Sequence, residues 1–236
     1  MSGTKRRRLY REVAVEPHGA GFAVSLDGKL VHTPQRRVLA LPTRAAADAI
    51  ATEWRAQGAE LDPQTMPITR LAGSALDLVA PHRAEIVART AAYGATDLLC
   101  YRAAAPAELA TRQAEAWQPW IEWAAERYGA RLAVTVGVVA VAQPEQALAS
   151  LAHAVEAHDD LRLAGLAAAT AALGSLVLAL ALAEGRLEAE AAWSLSLLDE
   201  MHQAERWGED KEAGRACAAL KADIEAAGRF LELLAG

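Results

Sequence analysis

Apolar and polar residues alternate over the first forty positions, and then the period lengthens. Positions 11–16 and 21–26 alternate one for one, which predicts two antiparallel strands with Pro17-His18-Gly19 turning between them. Asp27-Gly28 predicts a tight hairpin turn into a third strand over 29–32. A fourth strand is expected over 37–41, ended by Pro42. From Thr43, a good N-cap, Ala47, Ile50, Ala51 and Trp54 recur at helical spacing as far as Gln57-Gly58. Positions 61–67 contain Pro63 and Pro67 and read as an extended linker.

Beyond the linker the pattern is helical almost throughout. Helices are predicted over 68–79 and 81–93, the latter with Pro81 in its first turn, and the apolar segment 96–102 has no clear period. One long helix is expected over 106–128, with Pro119 as a candidate kink. The valine-rich segment 132–141 is the one later stretch that reads as strand. Helices follow over 144–158, 161–183, 188–206 and 209–234. No repeat of fixed period and no low-complexity tail is visible. The pattern predicts an α+β fold: a small antiparallel β-rich N-terminal domain with one helix, residues 1–66, then a larger α-helical C-terminal domain, residues 67–236.

Positions 163–183 carry no charge over a length sufficient to span a bilayer. Alanine dominates it, Gly165, Thr170, Gly174 and Ser175 dilute its leucines, and Asp159-Asp160 and Glu184-Gly185-Arg186 bracket it without an aromatic belt. A helix apolar all round is also what the centre of a bundle requires. We therefore expect a buried core helix and no stable membrane insertion.

Composition narrows the function classes. The chain has 236 residues, 53% hydrophobic and 23% charged, and a net charge of −6. That is ample for a core and wrong for a nucleic-acid binder, which needs a basic face to displace counterions. Two isolated cysteines, Cys100 and Cys217, fit a reducing compartment. No apolar run follows the basic opening Met-Ser-Gly-Thr-Lys-Arg-Arg-Arg, so no secretory signal is expected.

Enzyme signatures are missing: no glycine-rich phosphate loop, no GxGxxG after a strand, no HExxH and no GxSxG. The six histidines are scattered, and His153 and His158, five apart, do not stack on one helical face as a metal pair would. Neither a metal nor a cofactor is expected. The acidic stretch Asp199-Glu200-Met201-His202-Gln203-Ala204-Glu205-Arg206-Trp207-Gly208-Glu209-Asp210 stands out. Its spacing is compatible with a solvated face, a protein-docking patch, or paired carboxylates doing acid/base work. Nothing nearby supplies a nucleophile or cofactor for the last.

Tryptophan is over-represented, six against two Phe and four Tyr. Trp117, Trp120 and Trp123 fall three apart on one helix face, as core filling or as an exposed aromatic groove. Trp54 is expected to anchor the first helix to its neighbours. Trp207 ends a helix among charges and before Gly208, where a core role is less obvious.

Over nearly its whole length the chain resembles the ATP synthase F1 complex assembly factor 2 family. The resemblance runs through Asp27-Gly28-Lys29, Thr33-Pro34, Leu41-Pro42-Thr43, Glu53-Trp54-Arg55-Ala56-Gln57 and Met66-Pro67-Ile68-Thr69-Arg70. It continues through Thr96-Asp97-Leu98-Leu99-Cys100-Tyr101-Arg102, Gln113 with Trp117-Gln118-Pro119, and Asp199-Glu200, Gln203, Glu205 and Trp207-Gly208-Glu209-Asp210. The resemblance implies the same two-part fold, no enzymatic activity and no cofactor. It implies a chaperone that binds the free alpha subunit of F1 and shields its beta-contacting surface until F1 assembles. The partner-binding residues expected on this reading are Glu200, Gln203, Glu205, Trp207, Glu209 and Asp210, with none catalytic and none metal-binding. Eukaryotic members of that family carry a longer mitochondrial leader, so a cytoplasmic bacterial protein is expected, or a mitochondrial matrix one if eukaryotic. A monomer is expected. Two other classes remain: a small-molecule enzyme using Glu200 and Glu205, and a membrane-associated scaffold using 163–183.

Overall fold

The computed structural model describes residues 7–137, 139–208 and 211–235. Strands β1 (Val13–His18) and β2 (Gly21–Leu26) form an antiparallel hairpin in the register Val13↔Leu26 to His18↔Gly21. The turn is therefore at Gly19-Ala20 rather than at Pro17-His18-Gly19. Gly19, at φ 58°, supplies the left-handed residue that the turn needs, and Pro17 and His18 stay in the strand. β3 (Lys29–Leu30) and β4 (Ala40–Leu41) both pair with β2, and both are shorter than the predicted strands. Between them the chain makes a turn at Thr33–Arg37, where only the isolated bridge His32↔Val38 continues the pairing.

Helix α1 (Arg44–Arg55) covers this sheet. Thr43 caps it by accepting from the Ala46 amide, and Ala46, Ala47, Ile50 and Ala51 form its buried stripe. That stripe joins Val24, Val31, Leu39 and Leu41 in a small core that also takes in Ile68, Ala72 and Phe230. α2 (Pro67–Ser74) runs directly into a π-helical turn, Ala75–Val79. A 3₁₀ turn then leads into α3 (Arg83–Ala91), and β5 (Tyr101–Arg102) follows. α4 (Ala107–Tyr128) is one continuous helix through Pro119 and stops at Gly129, which is left-handed at φ 72°.

Among the described residues the valine-rich segment yields β6 (Thr135–Val136) alone, whose partner is the two-residue β5, in parallel pairing. Next come α5 (Glu145–Glu156), α6 (Asp160–Leu173) and α7 (Leu176–Ala183). The predicted single helix over 161–183 is thus two. Gly174 leaves the helix at φ 62°, and Ser175 caps α7 by accepting from the Leu178 amide. All eight residues of α7 are buried, and each fully buried leucine contributes about 2 kcal/mol. Among the described residues no helix is long and apolar enough to cross a membrane.

The predicted helix over 188–206 is likewise broken, into α8 (Ala189–Ser196) and α9 (Leu198–Trp207). α10 (Lys211–Leu233) returns across α6, where Gly165 lets Phe230 and Leu231 approach closely. The fold is α+β: a small antiparallel sheet with helices after it.

Candidate functional site

The buried stripe of α4 is Leu109, Gln113, Trp117, Ile121 and Ala124, and Gln113 is its only polar member. Three neighbours account for it. Gln113 Nε2 donates to Asp199 Oδ1 at 2.5 Å, and its Oε1 accepts from the Ala103 amide at 2.6 Å. The Arg102 guanidinium donates to the Gln113 carbonyl and lies over the Trp117 ring, 5.2 Å from its centroid. Trp117 in turn donates from Nε1 to the Leu195 carbonyl at 2.9 Å. One face of α4 therefore fixes β5 and the α8–α9 junction together. Trp120 and Trp123 pack edge-to-face on the same helix, part-buried against the large core.

α9 is held a second time at its far end. Arg112 clasps Glu205 with both guanidinium nitrogens, at 2.7 and 3.3 Å, and also lies 3.4 Å from His202 Nδ1. The Arg112 hydrogen bond holds the Glu205 carboxyl below the usual range. Glu205 therefore stays ionised at neutral pH and is no proton donor. Asp199 and His202, three apart, face inward, His202 with only 3% exposure. Glu200 and Gln203, again three apart, face solvent, and neither has a partner among the described residues. Asp199 and Glu200 occupy the first turn of α9, where carboxylates suit the positive end of the helix dipole.

Between α4 and the α8–α9 corner lies an open groove of about 460 Å³, lined by Ala116, Leu195, Leu198 and Met201 and edged by Arg112 and Glu115. Glu115 is exposed and unpartnered among the described residues. Among the described residues lining the groove the one cation, Arg112, is already paired with Glu205. Along α9 the exposed Arg206 is the one unpaired cation beside Glu115 and Glu200, so the unclaimed charge is negative by one.

The six residues expected at the site fare differently. Glu200 and Gln203 present free side chains, and Glu205 is exposed but bound to Arg112. Trp207 closes α9, and its side chain is outside the described residues, as are Glu209 and Asp210. Arg112, Glu115 and Met201 belong to the same surface and carried no signal of their own in the sequence. Gln113 did carry one, a polar residue at i+4 within an apolar stripe. No group of three metal-ligating side chains occurs among the described residues.

Against this geometry the comparisons with known proteins are specific. The model of the family described as ATP12 chaperone protein matches residues 7–125. The chain belongs to the ATP12 chaperone family. Its structure superposes on Atp12 from Paracoccus denitrificans with a TM-score of 0.93 at 42% identity, covering 97% of this chain and 98% of that one. A mutant of Atp12p from the same species gives 0.93 at 41% identity, over 98% and 100% of the two chains. The mitochondrial protein atp12 of Schizosaccharomyces pombe is 23% identical over 219 residues, 88% of this chain and 75% of that protein. The stretch matched by the ATP12 model ends within α4, so it includes Gln113 and stops short of α9, whereas the Paracoccus structures extend over both.

Proposed function

We propose that this ATP12-family protein is an ATP synthase assembly chaperone that binds the free alpha subunit of F1 through the outer face of α9. Family membership supports the chaperone role. The observation that supports this face is the double fastening of α9 onto α4, by Gln113–Asp199 and by Arg112–Glu205, which leaves Glu200 and Gln203 fixed but free. A surface ordered before it meets a partner loses less entropy on binding. Its unclaimed carboxylates, Glu115 and Glu200, steer a basic patch toward it, and Met201, 37% exposed, with the half-buried Leu195 offers apolar area beside them. Covering the apolar, beta-contacting surface of an unassembled subunit is what keeps that subunit from aggregating. Glu209, Asp210 and the Trp207 side chain, outside the described residues, belong to the same proposal as further contacts.

The test is light scattering of purified alpha subunit in the presence of the chain, with co-purification of the two. The chain suppresses scattering, and Glu200→Lys weakens co-purification while the chain stays folded, because Glu200 has no partner among the described residues and gives up only its helix-dipole contribution, under about 1 kcal/mol. Alpha subunit that neither binds nor stays soluble in its presence would overturn the reading. Glu205→Lys is the poorer probe, since it also breaks the pair with Arg112.

A further inference from the structure

A larger groove lies elsewhere. A groove of about 1360 Å³ runs between the Thr33–Arg37 turn and the segment from Leu61 through α2 into the π-helical turn. It exceeds the roughly 300–1,000 Å³ of ordinary small-molecule pockets. Its walls are largely apolar, with Pro34, Leu39, Trp54, Leu61 and Met66 inside and Leu78 at the edge, 48% exposed. Leu78 belongs to the π-helical turn, a device found often at functional sites.

The polar groups of this groove divide sharply by what is already committed. Asp77 accepts from Thr33 Oγ1 at 2.7 Å and from the Gln35 amide at 3.0 Å, and Asp62 accepts from the Gln64 amide at 3.1 Å. Both carboxylates thus serve internal donors. The donors of the groove are less engaged. Arg70 reaches only the neutral Gln64 Oε1, at 3.3 Å, and the Arg36 guanidinium has no partner among the described residues. Trp54 Nε1 is buried without an acceptor among the described residues. Arg36 is also held at φ 63°, a left-handed conformation costly for a side-chain-bearing residue, in a turn that Asp77 pins from below. The Arg37 guanidinium fastens the same turn to the Leu76 carbonyl. A turn fixed at several points and carrying an unclaimed guanidinium over an apolar groove is built to receive acceptors.

We propose that this groove binds an extended peptide segment carrying a carboxylate between apolar side chains, the carboxylate meeting Arg36 and Arg70. The site is distinct from the outer face of α9 and does not depend on the identity of the client bound there. Bidentate guanidinium–carboxylate pairing would set the register, and Leu78, Leu61 and Trp54 would cover the flanking apolar side chains.

The experiment is selection of a random displayed peptide library on the full chain and, in parallel, on Arg36→Glu/Arg70→Glu. Wild type enriches sequences with Asp or Glu between apolar residues, and the double variant does not. An enriched peptide, fluorescein-labelled, binds at least about tenfold more weakly to Arg36→Glu alone, whose fold is unaffected because that guanidinium has no internal contact. The same peptide shifts the Trp54 indole N–H resonance, and Glu200→Lys leaves its affinity unchanged. No acidic enrichment, equal enrichment on the double variant, or shifts confined away from Trp54 would each overturn the proposal. So would a concentration-dependent dimer of the chain abolished by Arg36→Glu, which would put a second copy in the groove.

Discussion

Gln113 and Asp199 lie 86 positions apart in sequence and 2.5 Å apart in space, amide nitrogen to carboxylate oxygen, at the join of α4 and α9. Gln113 is fully buried, so whatever replaces it must satisfy both Asp199 and the Ala103 amide or leave them unpaired. Gln113→Leu preserves volume but gives up both side-chain hydrogen bonds. It should lower stability by about 1–3 kcal/mol, the cost of leaving a part-buried amide and a part-buried carboxylate without their partner, read from urea unfolding. If α9 is the docking element, alpha-subunit binding should fall in Gln113→Leu even where the chain remains folded.

The hairpin makes a second prediction. Gly21 sits where β2 passes β4, and a Cβ there would overlap the Leu41 carbonyl, which is backbone and cannot swing away. Gly21→Ala should cost about 3 kcal/mol or more, well beyond an ordinary surface substitution. Gly19→Ala, also in the hairpin, meets no atom within 4 Å but is strained by its positive φ, and should cost only about 1 kcal/mol. Thermal unfolding of the two variants separates clash from backbone strain.

These cases also show what the sequence could reveal. The β1–β2 hairpin and α1 were legible because their determinants are local: alternation, Gly19, Asp27-Gly28, and Thr43 ahead of an apolar stripe. The strand over 132–141 was not, since valine favours strands but the length that forms depends on the two-residue partner Tyr101-Arg102. The break at Gly174 and its cap Ser175 were present in the sequence inside an apolar run, but Asp97, which accepts from the Ser175 hydroxyl and braces that cap, lies 78 positions away. At the α9 site, the exposure of Glu200 and Gln203 followed from their place in an acidic stretch. The engagement of Glu205 did not, because Arg112 is 93 positions distant. The Arg36 groove was invisible for the same reason: the Thr33-Pro34 and Met66-Pro67-Ile68-Thr69-Arg70 motifs are separate in sequence and face each other only in the fold.

Asp97 is fully buried at the start of α7, where it accepts from Ser175 Oγ at 2.8 Å, from the Val177 amide at 3.0 Å and from the Leu99 amide at 3.1 Å. Burial outweighs these donors and raises its pKa above the ordinary carboxylate value, and its charge helps burial push the neighbouring Cys100 thiol up to about 12. Cys100 is accordingly inert near neutral pH and should resist alkylation in the folded chain. Asp97→Ala would orphan the two amides and one hydroxyl together. We expect a loss of about 3 kcal/mol or more in urea unfolding, together with Cys100 becoming reactive to iodoacetamide as the α6–α7 corner loosens.

His158 gives the stability curve a defined slope in mild acid. Burial holds its pKa below the ordinary value of 6.5, and the nearby Arg162 guanidinium adds to the depression. The folded chain therefore binds this proton less readily than the unfolded chain does. Above pH 6.5 both states leave the ring neutral and its contribution is fully present. As pH falls from 6.5 toward the lower folded-state pKa, the unfolded state takes up the proton first and stability declines. His158→Gln removes that titration, while its backbone carbonyl can still accept from Arg83, as in the native contact at 2.6 Å. Unfolding midpoints measured in urea from pH 7.5 to about pH 5 should thus fall more steeply for wild type than for His158→Gln, with the curves converging in slope above pH 7. Parallel curves throughout would show that the His158 ring is as easily protonated in the folded chain as in the unfolded one.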